Sequence, residues 1–268
     1  MLFHAKESTI QVSGSRMTYV SFGSGSAPLV MIPGLSLRSI HGSALPLAWM
    51  FRILSRDHKV YVLDKREAVP EGCRIVDLAN DAAEAMHQLG IGRADVIGIS
   101  LGGMIAQQLA LDHPGIVRHL VLGVTLSRPN DTLRAVIGKW VRDASDGDLR
   151  AIVPDMMKKM YSDRYLRKYR WLFPIALKTA KLDDPERFIR LAKACLTCDT
   201  YDRLDQLRCP VLVLGGADDR IVTAKASEEI ADRIGCQIHM YEGLGHAAYE
   251  EAGDFDRRIF DFLKNDPA

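Results

Sequence analysis

The stretch DVIGISLGGMIAQQLA, residues 95–110, places Ser100 between glycines where an apolar strand is followed by a helix. Residues 98–102 fit the pattern G-x-S-x-G. Glycines two positions on either side of a serine let a strand and the following helix approach closely, because side chains there would collide. At such a sharp turn the serine backbone is expected to be strained and its hydroxyl exposed. The pattern indicates a reactive serine; the alternative is a tightly packed turn that binds phosphate.

Strand and helix patterns alternate on both sides of this turn. Two segments joined at Gly14-Ser15, residues 9–13 and 16–22, predict an N-terminal hairpin. Continuous apolar runs predict buried parallel strands at 28–33, 59–64, 94–100, 119–126 and 210–216. Helical periodicity lies between these runs. The sequence therefore predicts an α/β fold with a mostly parallel, doubly wound sheet.

The alternation stops over residues 127–207, where the periodicity is helical throughout. We therefore expect a core made of residues 1–126 and 208–268, with a helical cap inserted between them. A block inserted between sheet strands is expected above their carboxyl ends, where ligands bind in open α/β folds.

A serine hydroxyl is a weak nucleophile and needs a base, which in turn needs an orienting carboxylate. Beyond the inserted block the histidines are His239 and His246. His239 lies within an apolar strand pattern, whereas His246 follows that strand in the loop GLGHAAYEE, so His246 is the predicted base. Asp218 and Asp219 both follow a buried strand, and either could supply the carboxylate or simply form a turn.

The chain resembles the α/β-hydrolase superfamily over nearly its whole length. The resemblance rests on four motifs: PGL at 33–35, GISLGG at 98–103, GADDRIV at 216–222 and GLGHAAYEE at 243–251. It implies a capped serine esterase or lactonase with an N-terminal hairpin in its sheet. In relatives the acid follows the pattern G-x-x-D, which Asp219 matches better than Asp218.

The resemblance also implies a catalytic triad and an oxyanion hole. The triad would be Ser100, Asp219 and His246, and the backbone N–H groups of Leu35 and Leu101 would bind the oxyanion. No metal or cofactor is implied. The chain departs from the family in two loops, since it has Pro33-Gly34 where many relatives have His-Gly, and DKREAVPEGCR after the fourth strand where relatives often have D-x-R-G-x-G-x-S.

The activity implied is hydrolysis of an ester or lactone of a small molecule through an acyl-enzyme. Two alternatives share the fold. One is a carbon–carbon bond hydrolase of a dione that uses the same triad, and the other is a small-molecule receptor with little turnover.

Other residues of the inserted block are candidates for the substrate pocket. Apolar side chains that could line it, or could simply form the core of the cap, are Trp140, Met156, Met160 and Trp171. The basic run at 158–170 predicts a solvated helix face, or else a surface that attracts anionic substrates. Cys195 and Cys198 have the spacing of a metal pair, but without a second pair or a histidine cluster a structural role is favoured.

Composition limits the class of partner. The 268 residues are 47% hydrophobic and 26% charged, with a net charge of +1, which argues against nucleic acid as the main partner. No secretory signal and no apolar run of about 20 residues is evident, so a membrane is not expected either. Five scattered cysteines do not resemble a disulfide framework, and a reduced, cytoplasmic protein is expected. The sequence leaves open whether the protein forms a homo-oligomer.

Overall fold

A single mixed sheet runs through the part of the chain that this computed structural model describes, residues 2–264. Its strands are β1 Lys6–Val12, β2 Ser15–Phe22, β3 Ala27–Ile32, β4 His58–Leu63, β5 Ala94–Ile99, β6 Val117–Gly123, β7 Val211–Gly216 and β8 Gln237–Tyr241. They lie side by side in the order β1-β2-β4-β3-β5-β6-β7-β8. Pairing is antiparallel for β1 with β2 and for β2 with β4, and parallel from β4 to β8. The predicted hairpin and the predicted fold class are both confirmed.

The helices alternate with the parallel strands and then accumulate between β6 and β7. They are α1 Ala44–Met50, α2 Ile75–Gln88, α3 Leu101–Asp112, α4 Asp131–Ser145, α5 Leu149–Met160, α6 Asp163–Tyr169, α7 Phe173–Thr179, α8 Pro185–Cys195, α9 Ala224–Ile234, α10 Ala248–Glu251 and α11 Phe255–Lys264. Short 3₁₀ helices occur at Leu2–His4, Leu54–Arg56, Arg170–Leu172 and Tyr201–Gln206. The helix α1 ends at Met50, where a turn and then the 3₁₀ segment Leu54–Arg56 follow.

Apolar side chains cover both faces of the sheet. On one face the core includes residues of α2, α3 and α9, together with residues of α4, α5 and α8. On the other face α1 and α11 pack against the central strands. The strands β5 and β7, neither of which lies at an edge of the sheet, are buried along their whole length, as their unbroken apolar runs predict.

Four of the five inserted helices, α4, α5, α6 and α8, begin at polar residues that the sequence supplies. The side chain of each capping residue accepts a hydrogen bond from the backbone N–H three residues later, and these caps are Asn130, Asp148, Ser162 and Asp184. Such caps satisfy N–H groups that have no partner within the helix. The block is therefore divided into short helices by its own sequence.

Candidate active site

Ser100 lies in the turn between β5 and α3 with a strained backbone. Its φ of 54° and ψ of −118° lie outside the conformations that L-residues readily adopt. Packing imposes this conformation, because an added methyl group at Gly98 would overlap the Gly102 carbonyl, and one at Gly102 would overlap the carbonyl of Ile32. Backbone bonds also hold the turn, since the Ser100 N–H donates to the Gly123 carbonyl at 2.9 Å. The glycines of the motif are thus required by close backbone approach.

The structure places Ser100, His246 and Asp219 in one hydrogen-bonded row. Ser100 Oγ lies 2.9 Å from His246 Nε2, and His246 Nδ1 lies 2.7 Å from Asp219 Oδ2. With Nδ1 donating to the carboxylate, Nε2 is free to accept the serine proton. The row joins three loops that follow β5, β7 and β8, which all end at the same edge of the sheet.

Asp219 is held in its ionised form. Burial alone would raise its pKa, but the neighbouring His246 ring and the N–H groups of Ile221 and Val222 outweigh that effect, so the pKa lies below its ordinary value. The two N–H groups donate to Oδ1 at 2.7 and 3.0 Å. The adjacent Asp218 is exposed, and the carboxylate that pairs with the His246 ring is that of Asp219, so the geometry favours Asp219 of the two candidates.

Two backbone amides near Ser100 are available to a ligand. Leu101 is the first residue of α3, where an N–H has no partner within the helix. Leu35 follows Gly34, and a methyl group at Gly34 would come within 3.3 Å of Ser100 Cβ. In the hydrogen bonding of residues 2–264, neither the Leu35 N–H nor the Leu101 N–H donates to another group of the chain. Both amides therefore suit the oxyanion role that the resemblance implies.

A narrow, mostly apolar cavity opens onto Ser100 and His246. Three of the four predicted pocket residues line it, namely Trp140, Met156 and Met160. Trp140 is fixed there, because its indole N–H donates to Asp155 at 2.7 Å. The prediction for Trp171 is wrong, since that side chain is 66% exposed and does not line the cavity. It lies in a 3₁₀ turn between α6 and α7, which changes the helical phase and directs the ring outward.

The cavity has lining residues that sequence reasoning missed. They are Met104, Leu133, Ile137, Cys195, Ile221 and Tyr249. A signal for two of them was present, because Leu133, Ile137 and Trp140 follow helical spacing on one face of α4. Tyr249 comes three residues after His246, in the short helix α10 that follows the loop of His246. The wall of the cavity is thus built by α4, α5 and α8 as well as by the catalytic loops.

The inserted helices are tied directly to these loops. The Ala247 N–H donates to the Met160 carbonyl at 2.8 Å, which joins the end of α5 to the loop of His246. From α8, the Arg187 guanidinium donates to the Lys65 carbonyl at 2.7 Å and to Asp64 Oδ1 at 3.2 Å. Asp64 Oδ2 in turn accepts the Ile40 N–H at 3.1 Å. The segment after β4 is therefore held between α8 and the loop that follows β3.

The cysteine pair shows a structural environment. Cys195 Sγ donates to the Leu191 carbonyl and Cys198 Sγ to the Leu126 carbonyl, and both thiols are buried. Burial raises the pKa of each thiol to about 12, which keeps both protonated. Across residues 2–264, His, Cys, Asp and Glu side chains do not gather into a group of three or more that could hold a metal ion. Within the same residues, each helix is too short or too polar to cross a membrane.

Comparison with known proteins agrees with this architecture. A sequence profile of the alpha/beta hydrolase family matches residues 29–257. A protein named "Putative carbamate hydrolase RutD" from Variovorax paradoxus (strain S110) is 28% identical over 221 residues, which cover 79% of this chain and 83% of that protein.

Two solved structures illustrate the likeness in fold. MGS-M2, an alpha/beta hydrolase enzyme from a Medee basin deep-sea metagenome library, has a TM-score of 0.84 at 20% identity, with 96% of this chain and 97% of that chain covered. The enol-lactonase from Burkholderia xenovorans LB400 has a TM-score of 0.81 at 21% identity, with 96% and 100% covered. On the matched profile and this shared architecture, the chain is a hydrolase that belongs to the alpha/beta hydrolase family.

Proposed function

We propose that the protein hydrolyses carboxylic esters or lactones of small molecules through an acyl-enzyme formed on Ser100. The observation that carries this proposal is the hydrogen-bonded row from Ser100 Oγ through His246 to Asp219. A strained serine, a base within hydrogen-bond reach and a buried carboxylate behind that base are the parts that acyl transfer requires.

Acylation begins with attack of Ser100 Oγ on the substrate carbonyl carbon. As the new C–O bond forms, the hydroxyl proton moves to His246 Nε2 and the carbonyl oxygen becomes an oxyanion. The amides of Leu35 and Leu101 donate to that oxyanion. When the tetrahedral intermediate collapses, the bond to the leaving alcohol breaks and the alcohol oxygen takes the proton from His246.

Deacylation repeats these steps with water as the nucleophile. His246 Nε2 takes a proton from water, whose oxygen attacks the acyl carbon and forms a second oxyanion. Collapse breaks the bond to Ser100 Oγ, which regains its proton from His246. Asp219 stabilises the charged imidazole in both halves of the reaction without taking the proton itself.

The cavity favours a substrate with an apolar acyl group. Its walls are formed mainly by methionine, leucine and isoleucine side chains, and Ser100 and His246 lie at the same cavity. Such a wall contributes binding energy through burial of apolar surface, about 0.8 kcal/mol for each methylene. We infer that residues 127–207 act as a cap over the site, because α4, α5 and α8 supply much of this wall.

A second class of acyl group has separate support. The relative with 28% identity carries carbamate hydrolase in its name. A carbamate carbonyl is attacked by the same nucleophile and leaves a carbamoyl group on the serine. Aryl carbamates therefore belong in the substrate panel beside esters and lactones.

The test is a substrate panel of aryl esters, lactones and aryl carbamates, run on the wild-type protein and on Ser100→Ala. We expect turnover of at least one ester or lactone, and labelling of Ser100 by a fluorophosphonate located by peptide mass mapping. Activity that persists in Ser100→Ala would refute the proposal. Labelling of Ser100 without turnover of any of the three classes would also refute it, and would favour a receptor or a dione hydrolase.

A further inference from the structure

Lys65 lies buried directly behind the loop that carries the Leu35 amide. Only 4% of its surface is exposed, and its ammonium group is turned inward. Its Nζ donates to the Pro33 carbonyl at 2.5 Å and to the Gly34 carbonyl at 2.8 Å. A buried lysine whose ammonium group donates hydrogen bonds to two carbonyls of one short loop holds that loop in one conformation.

We propose that Lys65 is a positioning residue for the oxyanion hole, whose ammonium group orients and polarises the peptide between Gly34 and Leu35. The inference rests on the proposed function, because it assigns the Leu35 N–H to the oxyanion. It concerns a side chain that touches neither substrate nor the reacting atoms.

The geometry of the peptide bond links Lys65 to that N–H. In a trans peptide the C=O and the N–H are coplanar and point in opposite directions. The Gly34 carbonyl and the Leu35 N–H belong to the same peptide group. Holding the carbonyl against Lys65 Nζ therefore turns the Leu35 N–H away from the lysine. Gly34 and Leu35 both line the cavity at Ser100, so that opposite side is the side of the substrate.

The charge of the ammonium group adds to this orientation. A cation at the oxygen of an amide withdraws electron density from the N–H of the same group, which makes the N–H a stronger donor. Loss of one oxyanion donor typically costs about 10² to 10³ in kcat. Loss of its orientation and polarisation is expected to cost less, on the order of 10 to 100-fold in kcat.

The groups around Lys65 make this contribution depend on pH. Burial lowers the pKa of Lys65 to about 8; the neighbouring Asp64 carboxylate raises the pKa, and the Arg187 guanidinium lowers it further. Asp81 borders the same small internal space and pairs with Arg66. Because the ammonium form is the cation, the proposed effect is present at neutral pH and is lost as the pH rises past about 8.

The experiment compares Lys65→Met with Lys59→Met on an aryl ester that the wild type hydrolyses. Lys59 is the matched control, because its Nζ donates to the carbonyl of Gly23 at 3.2 Å, in a loop away from Ser100. We expect Lys65→Met to lose about 10 to 100-fold in kcat with KM changed less than about threefold, and Lys59→Met to match the wild type. Equal kcat in Lys65→Met and wild type would overturn the inference.

Two further readouts separate positioning from a structural role. The wild-type kcat is expected to fall above about pH 8, and this alkaline limb should be absent in Lys65→Met. An alkyl trifluoromethyl ketone adds to Ser100 and places an oxyanion in the hole, so its affinity should fall in Lys65→Met by the same factor as kcat. An unchanged affinity, or an alkaline limb that persists in the variant, would contradict the inference.

A second substitution is needed if Lys65→Met fails to fold. Thermal unfolding of Lys65→Met shows whether it folds, and Lys65→Gln supplies a neutral donor in its place if it does not. In that case Lys65→Gln must lower kcat and lack the alkaline limb for the inference to stand. If Ser100→Ala is inactive while both Lys65 variants keep wild-type kcat, the inference alone fails and the proposed function remains.

Discussion

Replacing Asp219 by Asn tests the triad with a change of one atom. The Oδ1 atom of Asp219 accepts two backbone N–H groups, from Ile221 at 2.7 Å and Val222 at 3.0 Å. An asparagine can keep both bonds only with its carbonyl oxygen in that position. Its NH₂ group then faces His246 Nδ1 in the place of Oδ2, and it donates where the carboxylate accepted.

The consequence is the wrong tautomer of His246. If Nδ1 accepts a hydrogen bond, the ring proton of the neutral imidazole lies on Nε2, which can no longer take the proton of Ser100. The charged imidazole also loses its counter-ion. We expect kcat to fall by about 10⁴-fold, equivalent to about 5 kcal/mol of transition-state stabilisation.

The assay is steady-state hydrolysis of an aryl ester at pH 7, with Asp218→Asn as the matched control. Asp218 is the exposed neighbour, so its variant should keep nearly full activity. Thermal unfolding should show both variants folded, since asparagine has almost the same shape as aspartate. Retention of more than a tenth of the activity in Asp219→Asn, or an equal loss in Asp218→Asn, would refute the reasoning.

Three further predictions follow from the geometry. Ser100→Ala should lose on the order of a millionfold in kcat and all fluorophosphonate labelling, while urea unfolding stays close to that of the wild type. Met156→Ala should change the preference between short and long acyl esters by about tenfold, from roughly 1–3 kcal/mol of lost wall contact, whereas the exposed Trp171→Ala should leave the chain-length profile unchanged; equal profiles in the two variants would contradict the assignment. Burial would raise the pKa of Asp95, but hydrogen bonds from Arg118, His58 and His119 hold it well below its usual range. The carboxylate therefore stabilises the fold above about pH 4, and this contribution is lost as the pH falls further. Asp95→Asn should flatten the acid limb of the unfolding free energy measured in urea at stepped pH, and an acid limb as steep as that of the wild type would show that other groups cause it.

The elbow could be predicted from sequence because its cause is local. The close approach of β5 and α3 requires glycine at fixed positions around Ser100, and residues 98–102 alone meet that requirement. The order of the triad residues along the chain leaves His239 and His246 as candidate bases, and the strand pattern around His239 favours His246. The choice of Asp219 over Asp218 needed the family resemblance, because both are polar residues in one turn. In the structure, burial and two backbone donors distinguish them.

The pocket was predicted less well because it depends on the phase of several short helices. Trp140, Met156 and Met160 lie on long helices, α4 and α5, whose apolar faces follow the helical period. Trp171 follows α6, where a 3₁₀ turn breaks that period. Extending the apolar face of a regular helix to Trp171 therefore predicts the wrong direction for its side chain.

Lys65 shows a different limit of sequence reasoning. The loop after β4 departs from the family pattern in sequence, but the role of Lys65 depends on a contact with residues more than thirty positions earlier in the chain. That contact arises because β3 and β4 are adjacent parallel strands that end at the same edge of the sheet. The sequence of the loop after β4 does not by itself indicate which other loop its side chains contact.

The Arg187 contact has a consequence for exchange of the inserted helices between relatives. A foreign block grafted between β6 and β7 without an equivalent arginine would leave Asp64, whose side chain is 4% exposed, with no cation from α8. The same graft would release the segment that presents Lys65. Positions 64, 65 and 187 should therefore be kept or replaced together. We expect a chimaera to be active only when its inserted helices carry an arginine that can pair with Asp64.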